Sequence, residues 1–194
     1  EIVTGFRIAW GGAQERYGVI PDLATYGKAV AGGFPMACVA GRVEIMGALD
    51  GRQRSRSDVA WATGTFNGNP VSTTAGLAGL DVLSQPGTYD RLHAIGGRLR
   101  AGIVEAGRRH GFPAQALGED AVFGVRFIEK EAPKTWMDLQ EHDRDLGLRW
   151  AVECIKRGLL LNPNEKFYLS IVHSDADVDR TIDICDAAFA ALKK

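Results

Sequence analysis

Cysteine is scarce in this chain, and the three that occur, Cys38, Cys154 and Cys185, lie far apart in the sequence. Such wide spacing argues against a disulfide framework and against the paired spacing of a structural zinc site. It fits reduced thiols instead. We therefore expect a cytoplasmic protein that carries no metal centre.

The chain also lacks long apolar runs and a strong charge of either sign. No stretch approaches the roughly 18 apolar residues that a membrane-spanning helix requires. The formal net charge is -1, so the chain lacks the excess of positive charge that attracts nucleic acid or an anionic membrane. A chain of 194 residues, 45% hydrophobic and 24% charged, is typical of one average globular domain or two small ones.

Glycine and short apolar runs are abundant in the first part of the chain. Two of these runs, 23–26 and 37–40, predict strands. A helix is predicted to begin at Pro70, because proline at the first helical position loses no needed hydrogen bond and Asn69 can cap the helix. That helix should end before Pro86.

A long helix and an α+β pattern follow. The apolar residues that predict the helix are spaced three or four apart and are Tyr89, Leu92, Ile95, Leu99 and Ile103. Beyond its expected end near 110–111 the pattern predicts strands at 115–117, 122–128, 159–161 and 168–171, and a helix over 143–157. Ser174 should cap the last helix, with Asp177 completing a capping box. We place the domain boundary between 84 and 88, which gives domains of 1–86 and 87–194.

Lys28 is the residue most able to act as a nucleophile. It follows the predicted strand 23–26 and precedes a turn-forming run. If that strand is short and buried, the lysine emerges at its carboxyl end, where open α/β sheets place their ligands. Partial desolvation would favour the neutral amine, which can attack a carbonyl. Spacing alone leaves a solvated loop lysine as the alternative, since lysines are seldom buried.

Several short motifs surround Lys28 in a fixed order. They are Thr4-Gly5-Phe6-Arg7, Gly18-Val19-Ile20-Pro21-Asp22-Leu23, Gly27-Lys28-Ala29, Gly32-Gly33-Phe34-Pro35, Gly41-Arg42 and Gly64-Thr65-Phe66-Asn67-Gly68-Asn69-Pro70. In this order and spacing the chain resembles the class III, pyridoxal-phosphate-dependent aminotransferases, including the glutamate-1-semialdehyde aminomutase branch. The segment 158–189 also resembles the C-terminal region of that branch.

The resemblance implies an α/β fold. Residues 1–86 would form the C-terminal part of a fold type I large domain, a mostly parallel sheet with helices, and 87–194 a small α+β C-terminal domain. The family reads Asp-Glu-Val/Ile-x-Thr-Gly-x-Arg, and this chain begins at the Glu. The aspartate that pairs with the pyridinium nitrogen would then precede Glu1, with the phosphate cup further upstream. We therefore expect the chain to be the C-terminal portion of an enzyme.

The resemblance also implies roles for three residues. Lys28 would hold pyridoxal 5'-phosphate as a Schiff base and later shuttle a proton between Cα and C4′. Ile2 would pack on one face of the cofactor ring, with a role in a strand core as an equal alternative. Thr65 would offer its hydroxyl and backbone N–H to the cofactor phosphate of the neighbouring subunit. The active site would then be shared between the two subunits of a homodimer.

These roles imply an aminotransferase that moves an amino group between an amine or amino acid and a 2-oxo acid or aldehyde. One alternative is intramolecular amino transfer of the glutamate-1-semialdehyde 2,1-aminomutase type. Another is a non-catalytic fragment that contributes only a dimer interface, because the aspartate and the phosphate cup are not in the sequence. The partners expected are a small-molecule amino donor and an oxo acceptor, with neither nucleic acid nor membrane.

Other polar side chains fit ordinary structural roles. Solvated or capping positions are expected for His93, His110 and His142. For His173, just before the last helix, a structural hydrogen bond is expected. Arg7 and Arg42 could bind a carboxylate or could form salt bridges that hold the fold, and both readings stay open.

Overall fold

A computed structural model describes residues 1–52 and 59–193 of the chain. Its backbone divides into two compact units, Glu1–Tyr89 and Asp90–Lys194. The assignment of 1–86 and 87–194 to the large and small domains of the resembled fold stays a prediction.

The first unit combines short helices with a two-stranded sheet. Its elements are α1 (Gly12–Tyr17), β1 (Leu23–Tyr26), a 3-10 turn (Lys28–Ala31), β2 (Cys38–Gly41), α2 (Val43–Met46), a second 3-10 turn (Gly47–Leu49) and α3 (Pro70–Leu83). The predicted strand at 23–26 and the helix beginning at Pro70 are confirmed. Asn69 Oδ1 accepts hydrogen bonds from the N–H groups of Val71 and Ser72, at 3.0 and 3.2 Å, which is the expected cap.

The first unit contributes one antiparallel pair of strands, which is part of the large-domain sheet expected for the resembled fold. β1 and β2 pair antiparallel, with Leu23 opposite Gly41 and Tyr26 opposite Cys38. Only residues 27–37 join them, whereas parallel pairing requires a crossover connection of about a dozen residues or more. β1 does not meet the condition of burial on which the position of Lys28 was argued, since Leu23 is 47% exposed and β2 is its only partner strand within the described residues.

The second unit places helices on a three-stranded sheet. Its elements, beginning at the boundary, are α4 (Thr88–Arg109), β3 (Ala114–Glu119), β4 (Val122–Phe127), a 3-10 turn (Asp138–Glu141), α5 (Arg144–Lys156), β5 (Lys166–Tyr168) and α6 (Asp175–Leu192). The strand order is β3-β4-β5 and both pairings are antiparallel. The register sets Ala114 opposite Phe127 and Val122 opposite Tyr168.

The three long helices of this unit are those predicted. Ser174 and Asp177 form the capping box of α6, with Asp177 N–H donating to Ser174 Oγ at 3.1 Å and Ser174 N–H to Asp177 Oδ2 at 2.8 Å. Asp143 caps α5 by accepting from Leu146 N–H at 2.9 Å. Among the helices that the structure describes, none has the length and apolar character to span a bilayer.

Aromatic rings form the centre of the second unit. The Phe189 ring of α6 lies 5.3 Å from that of Trp150 and 5.6 Å from that of Phe112, between centroids. Phe127 meets Phe189 edge-on at 5.9 Å. All of these except Phe112 are almost fully buried, so α5, α6 and one face of the sheet share a core.

The segment between α5 and β5 corrects two strand predictions. Residues 159–161 do not form a strand, and β5 covers 166–168 rather than 168–171. β4 already has β3 on one side and offers a single free edge, which β5 occupies, so the leucines do not pair with β4. Leu160 is 92% exposed, and Leu159 and Leu161 line a cavity of about 510 Å³ together with Leu99 and Leu169.

Candidate active site

Lys28 lies directly after β1 and Gly27, and it opens the first 3-10 turn. Its φ of 49° places it in the left-handed region, which costs a residue with a Cβ about 1 kcal/mol. Backbone strain of this kind concentrates at functional sites. The side chain is exposed, so the described residues do not provide the desolvation expected from the sequence.

Helix α3 holds the turn that carries Lys28. Val30 and Ala31 of the turn are buried, and the turn ends where Gly32 N–H donates to Ala29 O at 3.2 Å. A Cβ on Gly76 of α3 would lie 3.3 Å from Val30 O. Glycine at 76 therefore allows α3 to approach the backbone of the turn closely. This contact holds the turn that begins at Lys28.

Ile2 lies beside the same turn. Its Cγ2 is 3.6 Å from the position that a Cβ would take on Gly27, the residue before Lys28. Ile2 is 47% exposed and belongs to a run of turns, so it is not the strand core residue of the alternative reading. The structure thus places Ile2 against Gly27, the residue that precedes Lys28.

Glu1 is a positioning residue that the sequence reasoning missed. Its carboxylate accepts hydrogen bonds from the N–H groups of Ala13 and Gln14, each at 3.1 Å, and from the Thr4 hydroxyl at 2.5 Å. Burial acts to raise the pKa of this carboxyl, but the hydrogen bonds from Thr4, Ala13 and Gln14 outweigh it and lower the pKa. Glu1 thereby ties the segment of Ile2 to the start of α1.

An aromatic group supports the end of β1. The Phe6 ring lies 5.5 Å from that of Tyr26, between centroids, and Gln14 Nε2 donates to the Tyr26 hydroxyl at 2.8 Å. The Tyr89 hydroxyl donates to Phe6 O at 3.3 Å. Burial, with a smaller contribution from the Glu15 carboxylate, raises the pKa of Tyr89 to about 12. Tyr26 is two residues before Lys28 in the chain, so this packing restrains the backbone that leads to the lysine.

Thr65 lies in an exposed turn ahead of α3. The turn is closed by a hydrogen bond from Asn67 N–H to Gly64 O at 3.0 Å, and it continues through the Asn69 cap into the helix. No hydrogen bond joins Thr65 to Lys28 within the part of the chain that is described. Both lie near α3, because Thr65 precedes this helix in the chain and the turn of Lys28 packs against it.

Comparison with known proteins decides the family. The profile of the class III aminotransferases matches residues 1–185. This chain belongs to that family.

Its relatives include enzymes of two kinds. A curated glutamate-1-semialdehyde 2,1-aminomutase from Laribacter hongkongensis (strain HLHK9) is 37% identical over 194 residues, which are 99% of this chain and 44% of that protein. An omega-transaminase from Sphaerobacter thermophilus is 31% identical with a TM-score of 0.86, over 99% of this chain and 43% of the other. A β-phenylalanine aminotransferase from Variovorax paradoxus is 26% identical with a TM-score of 0.86, over 98% and 43%. The class III chain thus has the fold type I architecture of transaminases and spans less than half the length of these relatives.

Other polar residues of this class III chain divide between confirmed and corrected expectations. His173 Nδ1 accepts from Ser170 N–H at 3.2 Å, which is the expected structural hydrogen bond. Arg42 Nε pairs with Asp22 Oδ1 at 3.0 Å. His142, expected to be solvated, is buried: its Nδ1 accepts from Phe127 N–H at 2.9 Å, so Nε2 carries the hydrogen and donates to Asn164 Oδ1 at 3.0 Å. The neighbours of His142 in the sequence are charged, and such a segment predicts a solvated histidine, so the buried role was not foreseen.

Proposed function

We propose that this chain provides the cofactor-attaching lysine of a pyridoxal-phosphate-dependent aminotransferase, and that Lys28 is that lysine. One observation carries the proposal: in a chain of the class III family, Lys28 lies at the tip of β1 in a strained left-handed conformation. A lysine with no special role could be replaced there by glycine, which adopts this conformation without strain. The proposal explains why an amine occupies the position.

The residues around Lys28 fit pyridoxal phosphate chemically. An exposed primary amine suits the aldehyde, and the branched side chain of Ile2 beside Gly27 suits one face of a flat ring. When bound, the cofactor supplies an electron sink for the bonds at the substrate Cα. Lys28 Nζ would attach the cofactor, and once free it would carry a proton between the substrate Cα and the C4′ atom of the cofactor. Ile2 would keep water from that face of the ring.

The test uses the full-length protein with pyridoxal 5'-phosphate and compares wild type, Lys28→Ala and Lys156→Ala. Lys156 is an exposed lysine on α5 whose Nζ pairs with Glu153 at 2.7 Å, so it controls for loss of one surface amine. We expect a visible absorption band and a borohydride-trapped adduct on Lys28 in wild type and Lys156→Ala, with neither in Lys28→Ala. Amino transfer should fall by roughly 10⁴-fold in Lys28→Ala. An adduct on another lysine, or equal activity in Lys28→Ala, would reject the assignment.

We further propose that the enzyme is a homodimer in which Thr65 binds the cofactor phosphate of the neighbouring subunit. Its exposed hydroxyl supports this, as do the adjacent Trp61 and Phe66, which are 66% and 75% exposed and form an apolar surface suited to an interface. Subunit complementation tests it. Mixed dimers of Lys28→Ala and Thr65→Ala chains should regain part of the wild-type activity, because one of the two shared sites would then be intact. No recovery in proven mixed dimers would contradict sharing.

Intramolecular amino transfer is the second candidate, favoured by the 37% identity to the curated aminomutase. The two reactions differ in their substrates, since an aminomutase needs one molecule and an aminotransferase needs a donor and an acceptor. The full-length protein would be given glutamate-1-semialdehyde alone and, separately, alanine with a 2-oxo acid. We expect turnover of the donor and acceptor pair. Turnover of the semialdehyde alone would favour the aminomutase.

We also infer a reducing, cytoplasmic location. Cys38, Cys154 and Cys185 are all free in the structure, and Cys154 and Cys185 are buried thiols. Proteins of reducing compartments typically keep their thiols in this form. Cell fractionation that placed the protein in an oxidising compartment would contradict the inference.

A further inference from the structure

The sheet of the second unit has two different faces. Phe123 of β4 pairs with Phe167 of β5, and their rings stack 5.2 Å apart on the face that meets the aromatic core. Successive side chains of a strand point to opposite faces. The next pair, Gly124 and Lys166, therefore lies on the other face, and so does Arg126.

Arg126 folds back over Gly124 on this second face. A Cβ on Gly124 would lie 2.9 Å from Arg126 Nη1 and 3.0 Å from Cζ. Glycine at 124 thus leaves the space that the guanidinium occupies, flat against the strand backbone. The guanidinium is held in place and half-buried there, unlike a freely solvated surface arginine.

The hydrogen-bonding capacity of this guanidinium is mostly unused. Arginine has five N–H donors, and the bond that Arg126 makes is from Nη1 to Val125 O at 2.9 Å. Among the described residues, no carboxylate lies within the 4.0 Å ion-pair distance of it. Arg100 and Arg109 of the same unit differ, since each contacts an aspartate at 2.7 Å.

The surroundings of Arg126 favour an anion. Burial lowers the pKa of the Arg126 guanidinium; the Glu165 carboxylate opposes this shift, and the positive charge of Arg144 adds to it. Lys166 places a second cation on the same face, opposite Gly124, and its Nζ lies 3.5 Å from Glu165. The carboxylate that acts on Arg126 is thus already paired with Lys166. A partly desolvated charge without a close counter-charge destabilises a fold, and a bound anion would remove that cost.

We propose that Arg126, with Lys166 on the same face, binds a carboxylate of a small organic acid on the face of the β3-β4-β5 sheet that is opposite the aromatic core. The planar fork of a guanidinium matches a carboxylate through two parallel hydrogen bonds. This site lies wholly within the second unit. It does not depend on Lys28 or on the proposed amino transfer.

The experiment measures the unfolding midpoint of the full-length protein as succinate is added at constant ionic strength, with sodium chloride as the balancing salt. It is run in the Lys28→Ala background without cofactor, so that failure of the proposed function leaves the readout intact. We expect the midpoint to rise with succinate concentration. Arg126→Gln should weaken the apparent affinity about tenfold or more, as loss of a charge-assisted hydrogen bond requires. Arg126→Lys should fall between the two.

The matched control is Arg108→Gln, because Arg108 pairs with Glu105 on the exposed side of α4 and its loss removes the same charge elsewhere. We expect it to bind succinate as the parent does. If Arg126→Gln fails to fold, Arg126→Lys and Lys166→Gln carry the test, and both must weaken binding. Equal stabilisation by chloride, unchanged affinity in these variants, or tighter binding of phosphate than of succinate would overturn the carboxylate site.

Discussion

The two units bury their apolar side chains very differently. Among the described residues, the first unit contributes only Ile8, Val30 and Ala31 to the buried apolar set, while the second contributes most of it, including Phe123, Phe127, Trp150 and Phe189. The exposed large apolar residues show the reverse distribution, since most of them lie in the first unit. The unit that carries Lys28 therefore has little core of its own within this chain.

This difference separates two tasks of one polypeptide. The second unit is organised around stacked rings and three long helices, so its stability comes from contacts within 90–193. The first unit presents short elements, a strained lysine and an apolar surface, features that suit a part whose surroundings come from elsewhere in the functional protein. The aromatic core and the strained, exposed lysine thus lie in different regions of the chain.

The largest expected effect separates the two units as polypeptides. Residues 88–194, expressed alone, should unfold cooperatively with a free energy of roughly 5 to 15 kcal/mol, the usual range for a domain that builds its own core. Residues 1–87 alone should show no cooperative transition, because too little apolar surface is buried there. Circular dichroism during urea titration would measure both. A cooperative transition in 1–87 would break the comparison.

Removing a ring from the core of the second unit should have the next largest effect. Phe189→Ala deletes the ring that stacks on Trp150 and Phe112, and such changes cost about 3 to 5 kcal/mol of unfolding free energy. Leu148→Ala on α5 is the control, since Leu148 is 46% exposed and should change stability by less than about 0.5 kcal/mol. Similar costs for the two variants would show that the aromatic cluster does not dominate the unit.

Local signals in the sequence explain what could be predicted. Asn69 before Pro70, and Ser174 with Asp177, specify helix starts through contacts within a few residues, so the helices were found at the right places. The failures depended on distant partners. The leucines at 159–161 have strand character, but whether they pair is decided by which segment takes the free edge of β4, and that segment is Lys166–Tyr168.

The candidate site shows the same division. The position of Lys28 at a strand end could be read from sequence, whereas its left-handed backbone and its neighbour Ile2 across Gly27 required the folded chain. Glu1 gave no signal, because its partners Ala13 and Gln14 are backbone donors that any residues could supply. Arg126 could not be recognised from the sequence for a related reason. The position of its guanidinium depends on Gly124, and the second cation on its face comes from a neighbouring strand.

A smaller effect tests whether the backbone at position 28 of the first unit is strained because a lysine occupies it. Lys28→Gly and Lys28→Ala should both be inactive, but Lys28→Gly should be more stable by about 1 kcal/mol, because glycine accepts the φ of 49° without a Cβ conflict. Chemical denaturation of the two full-length variants without cofactor measures the difference. Equal stability, or a more stable alanine variant, would mean that position 28 is not strained in the functional protein.

The smallest expected effect concerns an ion pair at the surface of the second unit, where the comparison predicts that charge matters little beside the aromatic core. Asp186 of α6 accepts from Arg109 Nη2 at 2.7 Å and lies 3.1 Å from His110 Nε2, and the hydrogen bond from Arg109 lowers the pKa of the Asp186 carboxyl. A lowered pKa stabilises the fold above the unfolded value of about 3.9 and stops doing so as the pH falls through the folded value.

Asp186→Asn should therefore lower the unfolding free energy near pH 7 by less than about 1 kcal/mol, since the pair is partly exposed and screened. The difference from wild type should shrink as the pH is lowered from about 6 to about 2, because the wild-type carboxylate becomes protonated over that range and loses its advantage. Asp183→Asn, at an exposed position of the same helix, is the control and should show no such convergence. A difference that grows in acid would mean that Asp186 stabilises the fold through something other than its charge. An effect as large as that of Phe189→Ala would mean that the aromatic rings are not the main source of stability in the second unit.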